Sequence, residues 1–214
     1  MKKKSCAIIK IFIFLVVVAA LSINAVSAYT VINEGFEGTF PPDGWKVYKL
    51  GDQSSQGWQQ GSTEGLGPHN GNYMAWHDDE FATCDDWLVT PQFTVPANGV
   101  LKFWEYNFWM GWYQYHGVWI STGSGDPNDG DFVELQEFDQ SVDDWTQRTI
   151  DLSSYAGQKV YIAFRYKGDW ATEWYIDDVV VEGSGTPPQP IPEFPAIAIP
   201  AMIAMGILFL KRKY

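Results

Sequence analysis

The sequence predicts an all-β fold, an antiparallel β-sandwich of the jelly-roll kind, with a signal peptide before it and a short transmembrane helix after it. Three observations carry this. The segment 159–167 alternates with period two and puts Val160, Ile162, Phe164 and Tyr166 on one face. Similar short apolar runs recur along residues 29–182, separated by Gly, Pro, Asn and Asp clusters. No stretch of that region offers an apolar stripe at helical spacing.

In chain order, strands are expected at 31–36, 45–48, 73–76, 87–95, 100–108, 118–122, 132–138, 145–152, 159–167 and 175–181. Pro41-Pro42-Asp43-Gly44 and the run from Gly123 to Gly130 supply the clearest turns between them. Short strands joined by polar turns favour an antiparallel sandwich. About 155 residues suffice for one domain with its own core.

The chain's ends differ from this middle. Lys2, Lys3 and Lys4 precede an apolar stretch around 11–21, and Val26-Ser27-Ala28 places small residues at a cleavage site. Residues 1–28 therefore read as a secretory signal peptide, with an uncleaved anchor as the alternative. Residues 183–191 have the Gly, Pro and Ser composition of a linker. Beyond it, Pro192-Glu193-Phe194-Pro195 leads into the apolar run 196–210 and the basic end Lys211-Arg212-Lys213. That order predicts a protein outside the cell, held at the membrane by its tail. The run is short for a spanning helix and contains Pro200, which fits a processing signal as well as an anchor.

Charge narrows the partners. The chain holds 26 acidic against 14 basic residues, and seven of the basic ones lie in the two ends. Residues 29–192 keep 25 acids and 7 bases, a net charge of −18. Such a surface repels nucleic acid and suits divalent cations or neutral polymers. Cys6 falls in the signal peptide, so Cys84 stands alone and no disulfide supports the exported domain. A bound metal ion would fill that role.

Several spaced elements follow one order: Asn33-Glu34-Gly35-Phe36-Glu37-Gly38, Pro42-Asp43-Gly44-Trp45, Gln56-Gly57-Trp58, Gly71-Asn72-Tyr73-Met74-Ala75, Asp86-Trp87-Leu88-Val89-Thr90-Pro91, Val118-Trp119-Ile120-Ser121-Thr122 and Trp174-Tyr175-Ile176-Asp177-Asp178-Val179. This resembles the choice-of-anchor J or cleaved-adhesin family, jelly-roll modules similar to MAM domains and to the adhesin domains attached to gingipain proteases. The resemblance implies a calcium-stabilised sandwich used in adhesion or in recognition of glycan or protein, without catalysis. The tail from Pro192 resembles the PEF-CTERM sorting signal of archaeal surface proteins. It implies an archaeosortase-type processing enzyme as partner and exchange of the helix for lipid.

Glu34 near the first strand and Asp177 and Asp178 in the last are candidate ligands for a structural Ca²⁺, with Asp52 as a possible loop donor. The alternative is that these carboxylates cap strands or face water. The segment His77-Asp78-Asp79-Glu80 with Asp85-Asp86 reads as a solvated loop or a second cation site. The tract 103–116 carries more aromatic residues than one core face can take. Trp109, Trp112, Tyr113 and Tyr115 are therefore candidates for stacking on sugar rings or anchoring a protein partner, or else pack beneath loops. His69, His77 and His116 are scattered, and no hydrolase, phosphate-binding or zinc-hydrolase spacing occurs, so no catalytic residue is assigned. A structural envelope component and a carbohydrate-active enzyme with spatially assembled carboxylates are the alternative functions.

Overall fold

In the computed structural model, residues 27–61, 67–107 and 110–185 are described. They form twelve strands: β1 (Ser27–Glu34), β2 (Lys46–Lys49), β3 (Gln59–Gly61), β4 (Met74–His77), β5 (Cys84–Val89), β6 (Phe93–Thr94), β7 (Ala97–Asn107), β8 (Tyr115–Ser121), β9 (Phe132–Glu137), β10 (Val142–Asp151), β11 (Lys159–Gly168) and β12 (Trp174–Gly185). Among the described residues helix is confined to three 3-10 turns, Met110–Trp112, Pro127–Asp129 and Ser153–Tyr155.

The strands make two six-stranded sheets. One runs β10-β7-β12-β4-β3 with β1 also on β12; the other runs β2-β5-β11-β8-β9 with β6 also on β11. Pairing is antiparallel in both. This is the predicted sandwich. The alternation in β11 holds as expected: Val160, Ile162, Phe164 and Tyr166 are buried between the sheets, and Lys159 and Lys167 are exposed. They meet Leu101 and Phe103 of β7, Leu88 of β5, Ile120 of β8, and Val179 and Val181 of β12 in one core cluster. Burying each such side chain contributes about 1.5–3 kcal/mol.

Several boundaries differ from the sequence reading. The short strand β3 is missed because three residues cannot establish a period, and the expected strand 87–95 is broken at residues 90–92 into β5 and β6. β12 runs on to Gly185, where Ser27, Ala28 and Tyr29 pair with Gly185, Ser184 and Gly183. The folded unit thus takes in the first three residues assigned to the linker, because a strand ladder needs only backbone donors and acceptors. The sorting motif Pro192, Glu193, Phe194 and Pro195 and the apolar run 196–210 lie outside the described residues, as does most of the signal peptide. Among the described residues no helix is long and apolar enough to cross a membrane.

The second sheet also has an aromatic outer face. Trp87, Phe132 and Ala163 are buried there, with Tyr48, Trp119 and Tyr161 packed around them. Arg165 lies over Trp87 at 4.6 Å and Trp119 at 4.9 Å, and its Nε and Nη2 donate to Asp85 at 2.8 and 2.7 Å. A guanidinium held between rings keeps its charge paired while covering apolar surface. Part of the aromatic surplus in the sequence is spent here.

Candidate functional site

One end of the sandwich gathers three loops: 78–83 between β4 and β5, the loop ending at Gln114 between β7 and β8, and 169–173 between β11 and β12. Strand register puts them together, since Trp174 pairs with His77, Gly168 with Cys84, and Lys167 with Tyr115. Hydrogen bonds then join the loops to one another. Trp170 N–H donates to Glu80 O at 3.0 Å, and Gln114 Nε2 donates to Asp169 O at 2.9 Å.

This end carries exposed rings. Phe81 is 84% exposed, Trp170 53% and Trp112 67%, and they are three of the five large apolar side chains exposed among the described residues. Phe81 and Trp170 meet edge to face, with ring centroids 5.0 Å apart and planes at 88°. Trp170 is held at φ +54°, a left-handed conformation rare for a bulky residue. Rings left in water at a fixed angle forgo burial energy that a flat apolar partner would recover.

Acids surround the rings. Oxygens of Asp78, Asp79 and Glu173 converge within 4.8 Å of one another. Burial, then the neighbouring Asp78, holds the Asp79 carboxyl above the usual range, and burial does the same for Glu173. Glu80 Oε1 and Oε2 accept the Gln56 N–H, each at 2.7 Å.

The sequence-predicted aromatic residues separate in the structure. Trp112 is exposed at this end, and Trp109 lies outside the described residues. Tyr113 is half-buried; its hydroxyl donates to Glu137 at 2.7 Å and its ring meets His116 edge on. Tyr115 lies on the outer face of the second sheet, where it donates to Glu134 at 2.6 Å, accepts the Trp119 indole N–H at 2.6 Å and lies near Arg165. Burial and the facing carboxylates push both phenols up. Tyr113 and Tyr115 are thus tied into the sandwich, the alternative the sequence left open. Phe81 and Trp170 were missed; the available signal was a lone apolar residue in an otherwise polar loop, without a periodic partner.

The proposed calcium ligands also separate. Glu34 pairs across the ladder with Val179, beside Asp178, and Asp178 interrupts the β12 register at φ +47°. This bulge turns two consecutive carboxylates toward the segment 69–70. Asp177 is fully buried and accepts N–H bonds from Asn70 at 3.1 Å and Asp178 at 2.7 Å; burial pushes its carboxyl up to about 6. Asp178 accepts from His69 Nδ1 at 2.6 Å, while Glu34 accepts the Phe36 N–H at 2.6 Å. Asp52 stands elsewhere, after β2 in the other sheet, where its N–H donates to Thr83 O and its carboxylate caps Ser54. A loop acid next to the Asn33–Gly38 run in sequence order need not follow it in space.

The reading of 77–86 as a solvated loop is corrected in part. His77 and Asp86 are fully buried because His77 ends β4 and Asp86 is the third residue of β5, both on faces that point between the sheets. Asp78 and Asp79 remain at the surface side. A small cleft of about 210 Å³ lies apart from this end, lined by Lys46, Tyr48, Thr90, Ser124, Asp126 and Tyr161.

The described residues thus form a two-sheet antiparallel sandwich with exposed rings on its end loops. The chain belongs to the Cleaved Adhesin Domain family, whose model matches residues 29–181. It is 32% identical over 183 residues to hemagglutinin A of Porphyromonas gingivalis strain W83, an alignment covering 73% of this chain and 8% of that protein. It is 25% identical over 182 residues to gingipain R1 of Porphyromonas gingivalis, covering 73% of this chain and 10% of that protein. The chain therefore spans a tenth or less of the length of these relatives. Its structure is similar to the K3 cleaved adhesin domain of Lys-gingipain from Porphyromonas gingivalis W83, at 26% identity and TM-score 0.57, covering 73% of this chain and 99% of that domain. The K1 domain of the same protein gives 26% and 0.57, covering 74% and 99%.

Proposed function

We propose that this chain is an exported adhesion module that binds glycan at the cell surface through the rings of Phe81, Trp170 and Trp112. The observation that carries the reading is the edge-to-face pair of Phe81 and Trp170, exposed on loops that are hydrogen-bonded to each other. A sugar's axial C–H groups supply the flat apolar face such rings lack, and Asp78, Asp79 and Gln114 at the same end supply hydroxyl acceptors and donors. Covering about 80–100 Å² of ring contributes roughly 2 kcal/mol. The family membership and the names of the relatives, a hemagglutinin and gingipains, support adhesion as the use.

Surface retention belongs to the same proposal. The signal-like first 28 residues and the Pro192–Pro195 motif with its apolar and basic continuation support export, processing by an archaeosortase-type enzyme and anchoring by tail or lipid. So does calcium. Glu34, Asp177 and Asp178 are hard-oxygen donors at the β1–β12 pairing, and Asp177 is a buried carboxylate bonded to backbone N–H groups. His69 engages one oxygen of Asp178 and the Phe36 N–H one oxygen of Glu34, which leaves the second oxygen of each carboxylate for a cation. Asp52 has no part in that set.

The test is a glycan array probed with the full chain, followed by calorimetry on the best oligosaccharide. Trp170→Ala and Phe81→Ala each weaken binding about tenfold or more, and Tyr115→Phe leaves it unchanged. Binding lost only on changes to Tyr48 or Tyr161 would move the site to the outer-face cleft. An array without signal and a chain that self-associates would favour a structural envelope role.

A further inference from the structure

We propose that His77, Cys84 and Asp86 form a binding site for one divalent transition-metal ion of the zinc type, which ties the two sheets of the sandwich together. The site lies inside the sandwich beneath the loop 78–83 and shares no residue with the proposed glycan contacts or calcium ligands.

The three residues come from opposite sheets. His77 ends β4 in the first sheet, while Cys84 begins β5 in the second and Asp86 follows it on the same inward face. His77 and Asp86 are fully buried and Cys84 is 2% exposed. Their nitrogen, sulfur and oxygen donors all lie within 4.8 Å of one another. A tetrahedral zinc site separates its donors by about 3.3–3.7 Å, given bonds near 2.0 Å to nitrogen and oxygen and 2.3 Å to sulfur. Small side-chain adjustments close that difference.

The orientation of His77 suits a ligand. Its Nδ1 lies 2.9 Å from Asp78 O, a carbonyl that can only accept, so Nδ1 carries a proton and donates. The ring is clamped by Tyr166, stacked at 3.7 Å and 12°, and by the edge of Trp58. Nε2 is left aimed at the interior, 2.8 Å from Asp86 Oδ2. A histidine that gives one N–H to a backbone carbonyl is fixed in tautomer and orientation, with its other nitrogen turned inward, as metal-binding histidines are.

Asp86 gives the independent sign. Oδ2 accepts the Ser55 hydroxyl at 2.8 Å and faces His77, but Oδ1 is buried without a hydrogen-bond partner. An unpartnered carboxylate oxygen in the interior is costly, and a cation is the partner it lacks.

Proton and charge balance favour exchange. Without metal, one proton lies between Nε2 and Oδ2, because both cannot act as bare acceptors at 2.8 Å, and Cys84 keeps its thiol proton. One Zn²⁺ displaces both protons, leaving neutral imidazole, thiolate and carboxylate around a dication. The set is neutral before and after, so no net charge is buried. A thiolate and an imidazole select zinc over calcium. In a domain whose Cys84 is free of any disulfide, the ion supplies a cross-link between sheets.

The experiment is refolding of the purified full chain with Co²⁺, read by absorption. One Co²⁺ per chain is expected, with a thiolate-to-cobalt charge-transfer band, removed by one equivalent of Zn²⁺ and unaffected by excess Ca²⁺. Cys84→Ala, a small buried replacement, is expected to keep the native circular dichroism and lose the band. A natively folded chain that shows no band with excess Co²⁺ overturns the proposal. So does a band that survives Cys84→Ala, since its sulfur would then be Cys6.

Discussion

Removing Arg148 leaves a carboxylate stranded in the core. Glu105 lies near the C-terminal end of β7, fully buried, and Arg148 on the neighbouring β10 reaches it with Nε and Nη2, both 2.6 Å from Oε1. The second oxygen accepts the Trp174 indole N–H at 3.0 Å. Breaking a buried pair by deleting one partner costs about 3–5 kcal/mol, because the remaining charge keeps its desolvation penalty. For a domain of this size, 1 kcal/mol moves Tm by about 2–4 °C, so Arg148→Ala should lower Tm by roughly 6–20 °C. Glu105→Gln removes the buried charge itself, lets Gln accept the indole N–H, and leaves Arg148, which is partly exposed, to water; its loss should be under about half as large.

Acidity tests the cause. Burial outweighs Arg148 and raises the Glu105 pKa above its ordinary value, so the folded chain holds this proton more tightly than the unfolded chain. The contribution of Glu105 to stability is then fullest below the ordinary carboxylate pKa and is lost as pH rises through the folded value. Without Arg148 the pKa rises further, and the deficit of Arg148→Ala should shrink as pH falls from neutral. Denaturant melts at several pH values read this directly. A loss under about 1 kcal/mol at neutral pH, or one that is independent of pH, would refute the buried-charge reasoning.

Other outcomes follow from particular contacts. Gly51→Ala should destabilise by about 1–3 kcal/mol in chemical denaturation, since a Cβ there would lie 2.2 Å from Thr83 O and 2.7 Å from Asp85 N, both backbone. Removing calcium with a chelator should lower Tm by roughly 5–10 °C if the ion had been present at a hundred times its Kd, where linkage is worth about 2.7 kcal/mol; an unchanged Tm would remove calcium from the account. Tyr113→Phe should change stability by less than about 1 kcal/mol and leave glycan affinity intact, because the lost bond to Glu137 is exposed.

The sandwich was legible because its signal is local. Val160, Ile162, Phe164 and Tyr166 alternate with Lys159, Tyr161, Ala163, Arg165 and Lys167, and burial follows that alternation except at Ala163, which the aromatic cluster on the outer face covers. What a sequence cannot place is the partner of each side chain across the two sheets. Tyr115 belongs to Arg165 and Glu134, residues 50 and 19 positions away, so its ring was available to be mistaken for a free one. Phe81 and Trp170 are 89 positions apart and become one feature only when β4, β5, β11 and β12 align. The same holds for His77, which looked like part of a polar loop until β4 turned it inward against Tyr166. Asp177 and Asp178 were legible as a pair, but the bulge that separates their roles depends on β7 and β1 lying on either side.

The central claim is that exposed rings on the end loops bind glycan, and titration calorimetry of a bound oligosaccharide against the full chain and its Trp170→Ala variant tests it most directly. The account predicts about tenfold or greater weakening in a variant whose melting temperature is unchanged, since Trp170 is half in water. Equal affinity in the two proteins would contradict it.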